Sequence, residues 1–155
     1  MCRIFMITAL FSLINGCASP TYLSDEAPYS SLTGKCYQLT QDTFIQESGC
    51  WGLGAEYLIS PKENDFCFKR KVAIIEKGTK IKIQRVSQAR YGTWGVCPQL
   101  DIEFIDNRTE VQSMNVGVPI CMAHARLSWL VPGYDYVWER GTPIVLDEKY
   151  ATPCL

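Results

Sequence analysis

Apolar and polar side chains alternate through Leu100-Asp101-Ile102-Glu103-Phe104, a period of two that belongs to a half-buried strand. The pattern sets Leu100, Ile102 and Phe104 on one face and two carboxylates on the other. Asp106-Asn107 follows as a turn, with a second arm over 109–111. Val72-Ala73-Ile74-Ile75 and Ile81-Lys82-Ile83 flank a polar stretch containing Gly78, which predicts a hairpin. Further short strands are expected over 35–39, 56–59, 66–69, 125–130 and 136–139. Beyond residue 16 no segment sustains a helical stripe, and glycines recur too often for long helices. Many short strands between frequent turns predict a mainly β fold, a small barrel or sandwich of short antiparallel strands.

The N-terminus departs from this pattern. Residues 4–14 are apolar except for Thr8 and Ser12, with Arg3 before them and Asn15-Gly16 after, the three-part layout of a secretory signal. A helix that spans a bilayer needs about 20 apolar residues, so this run is too short for one. Leu13-Ile14-Asn15-Gly16-Cys17 resembles the lipobox of bacterial lipoproteins. The resemblance implies cleavage before Cys17, acyl chains on that cysteine and a place in the bacterial cell envelope. Ala18-Ser19 lacks the Asp of the retention signal of enteric bacteria, which points to the outer membrane. The expected organisation is a signal peptide over 1–16, a lipid-anchored tether over 17–34 and one β-rich domain over 35–155. Pro20, Pro28, Gly34 and several serines mark the tether, and a flexible coil of about 17 residues reaches roughly 20–25 Å.

Removing Arg3 leaves 14 basic against 16 acidic side chains, too mild a charge for a dedicated nucleic-acid binder. Of eight cysteines, Cys2 leaves with the signal and Cys17 takes the lipid. Cys36, Cys50, Cys67, Cys97, Cys121 and Cys154 remain, an even set in an exported chain, so disulfides are expected. Many connectivities are open; the expected set is Cys36–Cys50, Cys67–Cys97 and Cys121–Cys154. None of the six lies close enough to another for a zinc site, and His124 is the only histidine. No metal and no cofactor are expected.

The strongest charge asymmetry lies over 69–90, where eight cations face Glu76 alone. Lys80, Lys82 and Arg85 are the candidates there for contact with an acidic protein or anionic envelope polymer. The commoner role of such residues is a solvated strand face whose lysines discourage edge-to-edge pairing. Among the aromatics, Tyr91, Trp94 and Tyr134 lie beside glycines and are candidates for exposure on loops; the tryptophans otherwise suit a core. Lys77-Gly78-Thr79-Lys80-Ile81-Lys82-Ile83 is similar to a hairpin of bacterial SH3-like domains, a likeness too short to carry over a peptidoglycan site.

Catalytic patterns are thin. A nucleophile–His–acid set has to use His124, and no spacing selects its partners. Asp101 and Glu103 share a strand face where charges ordinarily meet solvent, and Gly52-Leu53-Gly54 lacks the third glycine of a phosphate loop. The leading expectation is a non-enzymatic binding protein on the membrane through Cys17, with a protein partner in the periplasm. Small cystine-stabilised lipoproteins of this build are similar to lysozyme inhibitors and immunity proteins. The alternative is a peptidoglycan-binding or envelope-scaffold module, and the third a hydrolase dependent on His124.

Overall fold

The alternation over 100–104 is borne out in β7 (Val96–Phe104), where Leu100, Ile102 and Phe104 are buried. The computed structural model describes residues 21–49, 55–63, 68–90, 96–106, 111–120, 129 and 138–155. The other described strands are β1 (Thr21–Tyr22), β2 (Cys36–Leu39), β3 (Thr43–Ser48), β4 (Tyr57–Ser60), β5 (Phe68–Ile75), β6 (Lys80–Arg90), β8 (Val116–Pro119) and β9 (Ala151–Pro153). All nine belong to one sheet in the order β5-β3-β4-β8-β7-β6-β2-β9, with β1 on β6 beside β2. The β4–β8 pair is parallel and the rest are antiparallel. The fold is mainly β, as expected. The sheet is open and sandwich-like, not a closed barrel.

The expected hairpin around Gly78 is corrected. Its two arms are strands, but β5 pairs with β3, and β6 pairs with β7, β2 and β1. The polar stretch between them is a bend in one long strand, matched by a bend between β2 and β3. Register is unbroken across it: Gln38 pairs with Lys80, and Thr43, five residues on, pairs with Ile75, five residues back. Leu39 N–H donates to the Thr79 carbonyl and Gly78 N–H to the Leu39 carbonyl, at 2.9 and 2.8 Å. The Lys77 N–H donates to the Asp42 carboxylate at 2.8 Å. Gly78 sits at φ +88°, a left-handed conformation that favours glycine.

This bend makes the sheet curl. Five residues of chain reach at most about 18 Å, whereas five strand spacings in a flat sheet are about 24 Å. β5 and β6 stand five places apart in the sheet, so the two halves must fold over one another. Ile45, Ile59 and Ile75 from one half meet Ile81, Ile83 and Leu100 from the other in a single core. In β6 the register slips between Ile83 and Arg85, which makes Gln84 the extra residue of a bulge. The slip brings Val86 inward with Ile81 and Ile83, and leaves Lys82 and Arg85 outward.

The tether expected over 17–34 is corrected from Thr21 onward. β1 pairs with β6 through Thr21–Gln88 and Tyr22–Ser87. Leu23, Tyr29 and Leu32 are buried in the main core. A 3-10 turn at Tyr29–Ser31 follows, clamped to the C-terminal segment by the Arg140–Glu26 ion pair and by the Gly141 N–H donating to the Tyr29 hydroxyl at 2.7 Å. Apolar anchors are sparse here, but each is large.

The expected pairings Cys36–Cys50 and Cys121–Cys154 are also corrected. Cys36 bonds Cys154, with Cα atoms 5.4 Å apart, because β9 lies antiparallel to β2 and brings residues 118 apart into register. Cys97 is also disulfide-bonded, with its partner outside the described residues. Cys50, Cys67 and Cys121 lie outside them, as do Cys17 and the signal segment. The strand over 125–130 is outside too, apart from Trp129, which is not in a strand. The strands expected over 109–111 and 136–139 extend beyond the described residues; Val111 begins a turn, and Trp138 and Glu139 are not in a strand. Among the described residues no helix is long and apolar enough to cross a membrane.

Candidate partner-binding surface

The outer face of β7, β6, β2 and β1 carries the three cationic candidates, because cross-strand partners on a pleated sheet share a face. Lys82 stands opposite Glu103 on β7 and Cys36 on β2; Arg85 stands opposite Asp101; Lys80 stands opposite Gln38. Tyr22 on β1 stands opposite Ser87. The result is a partly solvated sheet face of charged pairs, ending at one side in the Cys36–Cys154 disulfide.

The pairs differ in depth. The Lys82 ammonium donates to Glu103 at 2.9 Å, and both side chains are roughly two-fifths exposed. This bond from Lys82, aided by one from Gln84, holds the Glu103 carboxyl below the ordinary carboxylate range. An exposed pair of this kind contributes about 0–1 kcal/mol. Asp101 is different, since its side chain is only 6% exposed. Sequence alternation expects it to meet solvent with Glu103; the assigned face is correct, but that face is covered at Asp101. Arg85 donates from Nε at 2.7 Å and from a terminal nitrogen at 2.6 Å, both to Asp101 Oδ2. Gln99 Nε2 donates to Oδ1 at 2.7 Å. The Arg85 guanidinium also lies over the Tyr22 ring, 4.8 Å from its centre.

Arg85 is therefore tied first to the fold, as the counter-charge of a buried acid. Lys82 is shared between its pair and solvent. Lys80 is exposed, and its backbone N–H donates to Asp106 at 2.9 Å. The charge run over 69–90 does not make one basic face. Lys69 and Arg70 on β5 both bond Glu47, and Lys71 bonds Glu63 while lying over the Phe44 ring. Among the described strands β5 ends the sheet, and two register slips interrupt its ladder with β3. Bulges and charges together protect such an edge from stray pairing, which is the commoner role of a charged strand.

The opposite edge is blunted by other means. The Tyr150 carbonyl accepts from the Thr40 N–H, and the Cys154 N–H donates to the Cys36 carbonyl, so Ala151 and Pro153 turn their backbone outward from β9. The Ala151 N–H is bonded to the Asp147 carbonyl at 3.3 Å, and proline has no N–H to offer.

A groove of about 290 Å³ lies beside this edge, lined by Leu32, Tyr37, Ile144 and Pro153 among others, with Lys35 and Glu148 as its charged members. Burial pushes the Tyr37 hydroxyl pKa up. Sequence reasoning misses this groove and also Tyr22, whose isolated aromatic ring on a two-residue strand leaves no periodic signal. The remaining candidates, Tyr91, Trp94, Tyr134 and His124, lie outside the described residues. No group of three or more His, Cys, Asp or Glu side chains among the described residues is placed to hold a metal ion. The chain matches no family model, no curated protein and no solved structure.

Proposed function

We propose that this chain is a lipid-anchored envelope protein that binds another protein in the periplasm, as an inhibitor or immunity protein does, without catalysing a reaction. The observation that carries this reading is the polar outer sheet face, where Lys80 and the Lys82–Glu103 pair stand open beside a disulfide. A backbone already held in a cross-linked sheet needs no ordering when a partner docks, which favours affinity. The lipobox-like Asn15-Gly16-Cys17 supports the envelope address.

Two measurements test it. Labelled palmitate should enter the chain and be lost on Cys17→Ala. The soluble form starting after Cys17 should retain one periplasmic protein in near-stoichiometric amount, uncompeted by peptidoglycan, and lose it on Lys80→Glu with Lys82→Glu. Sedimentation with cell-wall sacculi in place of protein capture would favour the glycan-binding alternative. Arg85→Glu is a poor probe, because it strands the buried Asp101 carboxylate.

A further inference from the structure

We propose that the end of the sheet carrying β1 rests on the bilayer surface, with Tyr22 at headgroup level; the proposal depends on Cys17 being the lipidated residue. Its basis is the length of chain between that cysteine and the first fixed strand. Only residues 18–20 intervene between Cys17 and Thr21, and four residue steps span at most about 14 Å. The headgroup layer itself takes up roughly 5–8 Å on each side of a bilayer.

Thr21 cannot be drawn out to lengthen this connection without breaking the fold. It pairs with Gln88, the Leu23 N–H donates to the Val86 carbonyl at 2.9 Å, and Leu23 is fully buried. The Ser24 hydroxyl accepts from the Val86 N–H at 2.9 Å, adding a further tie. The folded domain is thus held within about a nanometre of the lipid surface, with β1 its nearest part.

The side chains at that end suit the contact. Tyr22 is 56% exposed, and an aromatic ring with a polar tip is favoured at the level of the headgroups. Arg85 lies against the ring with its side chain 44% exposed and its charge paired to Asp101, so it holds the ring in place without adding a net charge at that end. Lys80 lies seven residues from Ser87, the partner of Tyr22, along β6, about 23 Å away. Docking through Tyr22 therefore leaves the Lys80–Lys82 end of the same face open to a soluble partner.

The test uses the lipidated chain in vesicles of phosphatidylethanolamine and phosphatidylglycerol, beside the soluble form with the same vesicles. Hydroxyl-radical labelling of Tyr22 should be lost in the vesicle-bound chain, while acetylation of Lys80 is unchanged. Inserting roughly 12 Gly/Ser residues after Ser19, a coil of about 20 Å, should restore Tyr22 labelling. A palmitate-labelled, vesicle-bound chain whose Tyr22 labels as fast as in the soluble form overturns the docking proposal alone. A chain that takes up no palmitate overturns the anchor and the docking together.

Discussion

Asp101 shows how much one residue's setting differs from its place in a pattern. Alternation correctly assigns it to the face opposite Leu100 and Ile102, but alternation cannot tell whether that face is covered. The adjacent position across β8 is Gly117, where an added Cβ would come within 2.9 Å of the Ala55 Cβ and 3.2 Å of Gln99 Nε2. That crowding marks a closely packed layer over part of the face. Replacing Arg85 by Gln removes the counter-charge and leaves the buried carboxylate with the Gln99 amide, and should cost about 2–3 kcal/mol in urea unfolding. The double variant Arg85→Gln, Asp101→Asn should recover much of that loss, because the stranded charge is gone. Equal losses in the single and double variants would refute the structural role assigned to this pair.

At the scale of elements, ion pairs join strands that local sequence does not connect. Glu47 on β3 takes hydrogen bonds from Arg70 and then Lys69 on β5, and these hold its carboxyl below the ordinary value of 4.5. A lowered folded value stabilises the fold above the unfolded pKa, and the gain is lost as pH falls through the folded value. Stability should therefore decline in acid below about pH 4.5, with Glu47→Gln flattening that decline and high salt weakening the effect. Thermal unfolding across this pH range checks the sign. The strands themselves are largely legible, since β-branched runs and alternation mark β2, β4, β5, β6 and β7. Their partners are not. Glu76-Lys77-Gly78-Thr79 has the local chemistry of a hairpin turn, and a glycine at positive φ serves a strand bend equally well. Only the pairing of β2 and β3 along the same ladder distinguishes the two, and that is information held about forty residues away.

Across the whole molecule, the Cys36–Cys154 bond ties β2, early in the chain, to its sheet neighbour β9 at the chain's far end. A loop of this length gives a chain-entropy stabilisation of about 4–5 kcal/mol, so Cys36→Ser with Cys154→Ser should lower the free energy of unfolding by up to that amount. An unchanged urea midpoint would show that the β2–β9 ladder holds without the bridge. The even set of cysteines is readable from composition, but connectivity depends on which strands meet, and the two corrected pairs, Cys36–Cys50 and Cys121–Cys154, join cysteines too near in sequence. The candidate surface divides similarly: Lys80, Lys82 and Arg85 are identified from charge, whereas Tyr22 and the burial of Asp101 follow from tertiary contacts. The position of β9 also governs the order of biogenesis. β2 emerges more than a hundred residues before the strand that covers its edge, and in an oxidising compartment Cys36 meets Cys50, Cys67, Cys97 and Cys121 before Cys154. The native Cys36–Cys154 bond can form only once residue 154 is present, so a Cys36 oxidised before that point reaches it only by thiol–disulfide exchange.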